Sequence, residues 1–379
     1  MEYRQLGKTG LSVSAIGLGG EWLERHTAEE VKAVVDACRA YGVNTIDCFM
    51  SEPNVRSNLG NAIKGEREKW IIEGHIGSAW QNGQYVRTRE VSEAKIAFED
   101  LLTRFHTDYI DLGMIHFVDR IDDWQDVLDG GLMRYAIELK RMGRIRHIGL
   151  STHSPQIARM AVEHGAVEVL LFSLNPGYDL LPSEENVGLA DDHAPILRGM
   201  DQERAELYRL CEERGVGINV MKCFGGGRLL DATRSPFGIA LTPVQCIHYC
   251  LTRPAVGSVM LGFDTAEQVP DAIAYLHATE EEKDYATVLA QAPRQNYYGQ
   301  CTYCGHCKPC PVNIDIAMVN KLYDLGTAHE EIPATVREHY HALEVKASAC
   351  LHCGKCETRC PFHVQASARM MRIAELFGE

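Results

Sequence analysis

The chain predicts a (β/α)8 barrel of the TIM type over residues 1–290, followed by a small α-helical ferredoxin-like iron–sulfur domain over residues 295–379. Two observations predict this. Short apolar runs alternate with amphipathic helical patterns through the first part, and the last part carries two tight runs of cysteine.

The apolar runs are AIGLGG from residue 15, NTIDCF from 44, WIIEGH from 70 and YIDLGMIHF from 109. They continue with IRHIGLST from 145, VEVLLFSLN from 167, GVGINVMKC from 215 and VGSVMLGF from 256. Between them, TAEEVKAVVDAC offers Thr27 as N-cap with Glu30 three residues on, and puts Val31, Val34, Val35 and Cys38 on one face. SEAKIAFEDLLTRF does the same with Ala94, Phe98, Leu101, Leu102 and Phe105. Eight strands alternating with helices, and no G-x-G-x-x-G after the first, fit a closed barrel better than an open doubly wound sheet. The polar segment 179–200, after the sixth strand, reads as a loop over the barrel mouth.

The cysteine runs come next. Eight of the 14 cysteines fall in CTYCGHCKPCP and CLHCGKCETRCP, as Cys301, Cys304, Cys307 and Cys310, then Cys350, Cys353, Cys356 and Cys360. The second run matches the bacterial ferredoxin pattern C-x2-C-x2-C-x3-C-P, and the first differs by one residue in its last spacing. Zinc sites close with two separated pairs, whereas three closely spaced cysteines and a distant Cys-Pro wrap a cubane. Two [4Fe-4S] clusters are expected, with Cys310 serving the cluster of the second run and Cys360 that of the first. IDIAMVNKLYDLG and TVREHYHALE read as the helices between them. Such clusters move single electrons, or they staple a unit too short for a core of its own.

The formal charge of −14 and the lack of any Lys/Arg run exclude a nucleic-acid-binding surface. The opening MEYRQLGKTG is polar and no stretch approaches a membrane span. The expectation is a cytoplasmic protein with a small-molecule substrate and an electron-transfer partner such as a ferredoxin.

In a barrel of this kind the site lies where the strands end. The polar residues there are Asp47, His75, His116, Ser151 with His153, Asn175, and Lys222 with Cys223. Cys48 and Cys223 lie near that mouth as packing residues or reactive thiols, and Cys38, Cys211, Cys246 and Cys250 read as small buried side chains.

EYRQLGKTGLSVSAIGLGG, YIDLGMIH, IGLSTHS and GVGINVMKCFGGGRL resemble the aldo-keto reductase superfamily, and the cysteine tail resembles its subgroup with a C-terminal ferredoxin module. The resemblance implies an Asp, a Tyr, a Lys and a His around a nicotinamide, the Tyr giving a proton to the carbonyl oxygen. Asp47 matches the Asp and His116 the His. Glu52 stands at the Tyr position and His75 at the Lys position, so both proton-handling residues differ, and Glu52 with His75 suits a general base and its partner. Ser151, Asn175 and the loop Gly225, Gly226, Gly227 match cofactor-binding positions. Leu171 and Leu174 replace a Gln and an aromatic platform. Acidic Asp264, Glu267 and Asp271 after the eighth strand disfavour NADP(H), leaving NAD(H) or no nicotinamide. No flavin motif is evident.

Three functions remain open. One is an iron–sulfur oxidoreductase of a small carbonyl, hydroxyl or sugar-like substrate. Another is a redox-neutral lyase or isomerase with structural clusters, or a metal-dependent variant with Glu52, His75 and His116 as ligands. The third is a non-catalytic electron-transfer protein.

Overall fold

The computed structural model describes residues 1–180, 201–290, 307, 309–327, 332, 334–360 and 364–379. They divide into two compact units, one ending near residue 292 and one formed by the residues beyond it. Of the segment 179–200, read above as a loop over the mouth, Asp179 and Leu180 end a short helix, Pro176–Leu180, and residues 181–200 lie outside the described residues.

Eight parallel strands close the first unit into a barrel in chain order. They are β1 (Ile16–Gly19), β2 (Thr45–Cys48), β3 (Ile71–Ile76), β4 (Ile110–Ile115), β5 (Ile145–Thr152), β6 (Val169–Ser173), β7 (Gly217–Met221) and β8 (Val256–Gly262). Each lies within one of the apolar runs of the sequence except β3, which extends one residue past its run to Ile76. Closure comes from β8 pairing with β1, Val259 opposite Ile16 through Gly262 opposite Gly19. Almost every strand position is buried, as expected where helices cover the outside and side chains fill the inside. A hairpin of Tyr3–Gln5 and Ser12–Ser14 brings Leu6 and Val13 onto Ile71 and Val169, the first residues of β3 and β6, and so plugs the amino-terminal end.

The helix Ala28–Ala40 begins in a capping box formed by Thr27 and Glu30, worth about 1 kcal/mol, and buries Val31, Val34, Val35 and Cys38. Val91–Arg104 buries Ala94, Phe98, Leu101 and Leu102. Both match the periodicity of the sequence.

A second hairpin, Ser78–Gln81 with Gln84–Arg87, follows β3. Its tip is Asn82-Gly83, both left-handed at φ 53° and 78°, the turn that suits the twist of two antiparallel strands. It is bound on both sides. Ser78 Oγ donates to Phe49 O and Ser51 Oγ to Ala79 O, at 2.5 and 2.6 Å, tying it to the loop after β2. Arg87 and Arg89 tie it to the loop after β4, as described below.

In the second unit, Ile316–Thr327, Ala334–His341 and Ala366–Phe377 are helical. Their core gathers Ile314, Val319, Leu322, Tyr340, Met370, Ile373 and Phe377 around a Tyr340–Phe377 stack, with Cys310, Cys350, Cys356 and Cys360 packed against it. The cysteine loops therefore sit on a small core rather than standing in for one.

Candidate active site at the barrel mouth and the cysteine pocket

Three of the strand-end residues converge. Asp47 lies on β2, His75 on β3, and His116 directly follows β4, its amide donating to Ile76 O at 2.9 Å. Their side chains form one hydrogen-bonded chain: Asp47 Oδ1 to His75 Nε2 at 2.9 Å, then His75 Nδ1 to His116 Nδ1 at 2.8 Å. A fourth residue extends it, since the Tyr85 hydroxyl lies 2.6 Å from His116 Nε2. His75 and His116 are buried, at 1% and 4% exposure, while Tyr85 remains 40% exposed and so opens the chain to solvent.

Phe49 stacks on the His116 ring at 5.8 Å, and His75 meets it edge-on at 4.9 Å. In this apolar cage burial drives the His116 imidazole well below its ordinary pKa, with neighbouring His75, Arg89, Arg87 and His153 pushing the same way. His116 is therefore neutral. Burial raises the Tyr85 phenol, against the opposing pull of Arg87 and Arg89.

Strand-end reasoning does not reach Tyr85, because it lies on the hairpin after β3. The signal was present as Asn82-Gly83 between apolar residues, the strongest short hairpin pattern a sequence carries. Its position is held by Arg89, which donates to His116 O and Phe117 O at 2.9 and 2.8 Å and pairs with Asp123 through two bonds at 2.6 and 2.8 Å. Arg87 adds bonds to Phe117 O and Asp123. These contacts also hold Phe117 at φ 46°, a left-handed conformation that a phenylalanine adopts only under such restraint.

Glu52 departs from expectation. Its carboxylate accepts from Val55 N at 2.7 Å and caps the helix Pro53–Ala62, and the partners of His75 are Asp47 and His116 rather than Glu52. A glutamate before Pro53 is well placed for this, because proline suits the first helical turn and leaves the cap to the preceding side chain. The metal variant fares no better: among the described residues, no group of three His, Cys, Asp or Glu is arranged to hold a metal ion.

Beneath Asp47 lies a residue that the sequence did not single out. Glu73 pairs in register with Asp47 and meets Asn219 of β7 across the barrel, Asn219 Nδ2 donating to Glu73 Oε1. The remaining atoms of the pair, Glu73 Oε2 and Asn219 Oδ1, are buried without partners. A proton on Oε2 would turn one of these two lone acceptors into a donor. Burial pushes the Glu73 carboxyl well above its usual range, the charge of Asp47 adds to this, and the Asn219 bond works against it. Burial and the charge of Asp47 both favour the neutral form of Glu73.

His153 pairs with Asp119 through bonds at 2.8 Å to the ring and 2.7 Å to the amide. Burial opposes ionisation of Asp119, but the His153 and Thr152 bonds prevail and hold its pKa low. Cys48 and Cys223 are both buried, with burial pushing the Cys48 thiol to about 12 and Cys223 well above its normal value, so neither is a thiolate at neutral pH.

The cofactor positions are mixed. Gly225, Gly226 and Gly227 are all left-handed, at φ 58°, 67° and 80°, a backbone that side chains disfavour, and Gly225 N donates to Lys222 O at 2.8 Å. Ser151 is buried at the end of β5. Asn175, however, spends its carboxamide on the protein: Nδ2 donates to Lys222 O and Oδ1 accepts from Tyr178 N, at 2.8 and 3.0 Å. Leu171 and Leu174 are core residues. Asn175 is therefore not free to hold a nicotinamide amide. Asp264, in the loop after β8, binds His26 Nε2 at 2.8 Å.

In the second unit, Cys310, Cys350, Cys353 and Cys356 line one pocket with Pro311, Val312, Ile314 and Met370. His352 N donates to Cys350 Sγ and Val364 N to Cys360 Sγ, both at 3.4 Å, the contacts that stabilise negative charge on thiolate sulfur. Four thiols around an apolar pocket suit a cubane, whose corners hold sulfurs further apart than the ligands of a single ion. Cys301 and Cys304 lie outside the described residues.

Comparison with known proteins accounts for both units. Residues 15–242 match the aldo/keto reductase family and residues 300–365 a 4Fe-4S dicluster domain. The chain is 26% identical over 317 residues to the uncharacterized oxidoreductase YqkF of Bacillus subtilis, covering 79% of this chain and 98% of that one. It is 24% identical over 356 residues to a pyridoxal 4-dehydrogenase of Microbacterium luteolum, covering 76% and 97%. The aldo-keto reductase AKR11C1 of Bacillus halodurans shares the fold, with a TM-score of 0.61 at 23% identity over 77% of this chain and 97% of that chain. The chain belongs to the aldo/keto reductase family, as an oxidoreductase that carries a 4Fe-4S dicluster domain at its C-terminal end.

Proposed function

We propose that the barrel interconverts a hydroxyl and a carbonyl on a small polar substrate, and that two [4Fe-4S] clusters in the second unit exchange the electrons with a partner protein such as a ferredoxin. The observation that carries this reading is the unbroken chain from Asp47 through His75 to His116 at the carboxyl ends of β2, β3 and β4. Interconverting an alcohol and a carbonyl moves two electrons and two protons, so a site for it needs a group that holds a proton next to the substrate oxygen. A buried imidazole pair ended by a carboxylate is such a store: Asp47 accepts only, which orients His75 and makes it the proton's resting place.

Asp47 and His75 hold the proton, His116 passes it on through the nitrogen that faces the Tyr85 hydroxyl, and the Phe49 ring covers the His116 imidazole. Glu52 has no part in the chemistry. A bound nicotinamide dinucleotide would supply or accept hydride; Gly225, Gly226 and Gly227 would hold its pyrophosphate and Ser151 its amide. Cys310 would join Cys350, Cys353 and Cys356 on one cluster, with Cys301, Cys304, Cys307 and Cys360 on the other, an exchange supported by the shared pocket. A nicotinamide gives up both electrons as hydride while each cluster takes one, so exchange between them runs through a one-electron carrier such as a flavin.

The test is an anaerobic titration of the cluster-loaded protein with NADH and then NADPH, followed by binding heat and by the visible absorbance of the clusters. Binding of NADH with loss of that absorbance is the expected result. Absence of binding by either dinucleotide would remove the nicotinamide from the scheme.

A further inference from the structure

The hydrogen-bonded chain does not stop at the residues of the strands. It ends on Tyr85, which the hairpin brings to 2.6 Å from His116 Nε2 and leaves 40% exposed, so its hydroxyl is the outermost atom of the chain. We propose, building on the oxidoreductase reading above, that Tyr85 is the catalytic residue that exchanges a proton with the substrate oxygen, resupplied through His116 and His75.

The donors along the chain are determined by its far end. A carboxylate only accepts, so His75 donates through Nε2 to Asp47. With His75 neutral, its Nδ1 accepts from His116 Nδ1, and His116 Nε2 then accepts from the Tyr85 hydroxyl. The Tyr85 oxygen keeps a free lone pair and is ready to take a proton. When His75 carries a second proton, its Nε2 still donates to Asp47 and the two bonds beyond it reverse. His75 Nδ1 donates to His116 Nδ1, His116 Nε2 donates to the Tyr85 oxygen, and the Tyr85 O–H turns outward, ready to give. One chain thus has a base form and an acid form that differ by the proton on His75. His116 stays neutral in both and changes only its tautomer, which agrees with the burial that disfavours its imidazolium.

The reaction balances. In alcohol oxidation the substrate O–H proton passes to the Tyr85 oxygen as the original Tyr85 proton moves to His116 Nε2 and the His116 Nδ1 proton moves to His75. The C–H bond breaks as a hydride taken by an oxidised nicotinamide, and the C=O bond forms. Reduction runs the same steps backward. No other described tyrosine is bonded to the chain, and the position five residues after Asp47 holds Glu52, which caps a helix.

Geometry also supports the assignment. Arg87 and Arg89 on the same hairpin bind the backbone of His116 and Phe117 and the carboxylate of Asp123, so Tyr85 is clamped to the strand end that carries His116. The charged or titratable groups that act on the Tyr85 phenol are these two arginines and its partner His116.

Two measurements test this on the cluster-loaded protein. The first is nitrogen NMR of protein labelled at its histidine rings, which needs no substrate. Neutral His75 should carry its proton on Nε2 and His116 on Nδ1, and Tyr85→Phe should move the His116 Nε2 resonance toward that of an unbonded nitrogen while leaving His75 on the same tautomer. An unchanged His116 resonance would overturn the relay. The second is reduction of 4-nitrobenzaldehyde and pyridoxal by NADH. Tyr85→Phe should lower kcat about 100-fold or more with KM unchanged. A Tyr85→Phe enzyme within threefold of wild type overturns the catalytic role. Absence of wild-type turnover with both aldehydes would count against the oxidoreductase reading, and the nitrogen resonances would still judge the relay.

Discussion

The two units build their sites in opposite ways. In the second unit, Cys350, Cys353 and Cys356 lie within seven consecutive residues, and Cys310 joins them from the preceding run. At the barrel mouth, Asp47, His75, Tyr85 and His116 come from three strand ends and one hairpin, and no two are closer than ten residues in sequence. A ligand set for a cluster can be local because the metal draws flexible thiols together, and binding energy becomes folding energy. A proton chain has no such organiser. Its members must be held at hydrogen-bond distance by elements that are already folded, which explains why Arg87, Arg89, Asp123, Ser51 and Ser78 surround it with restraints on the backbone.

The largest effect that separates the two regions should come from iron removal. Chelating the clusters, or replacing Cys353 by Ser, should unfold or loosen the second unit by several kcal/mol while the barrel keeps its thermal transition. Calorimetry of the loaded and stripped protein checks this. A single shared transition that moves as a whole would show that the regions are not independent.

His75→Gln comes next. It removes the proton store and leaves Asp47 buried with a weaker partner, so turnover should fall about 100- to 10,000-fold and stability by about 3 kcal/mol, read from steady-state kinetics and denaturant unfolding. Cluster absorbance should not change. If it did, the two sites would be coupled in a way their separate construction does not predict.

Glu73→Gln should stabilise the barrel at alkaline pH. A carboxyl whose folded pKa is raised binds its proton more tightly in the folded chain, so its burial is tolerated below the unfolded value. Stability is then lost as pH rises toward the folded value, by up to about 1.4 kcal/mol per pH unit. Glutamine keeps the bond from Asn219 Nδ2 without that loss. Thermal unfolding should therefore show the variant close to wild type at pH 4 and more stable at pH 8; equal destabilisation at both would mean that Glu73 is ionised.

The smallest effect belongs to Glu52→Ala. Loss of the cap on Pro53–Ala62 should lower stability by about 1 kcal/mol and leave kcat within a few-fold of wild type. A hundredfold fall in kcat would return Glu52 to the chemistry.

Much of this was legible in sequence, for physical reasons. Strand and helix periodicities reflect burial along one element, so all eight barrel strands and the helix that starts at Thr27 with its Glu30 partner could be read directly. Asp47, His75 and His116 could be listed because strand ends in a barrel face one mouth. Tyr85 could not, although Asn82-Gly83 marked the turn below it, since periodicity says where a hairpin bends and not where its side chains reach. Glu52 shows the reverse: aligned position made it a catalytic candidate, and a local contact with Val55 N made it a cap.

By itself, then, the sequence determined the barrel, the second unit and the cysteines that can bind iron, because each follows from burial patterns or spacing within a short stretch. Tertiary structure alone decided which titratable groups touch. A proton chain depends on distances of about 3 Å between residues far apart in the chain, and its direction depends on a single acceptor, Asp47, at its buried end.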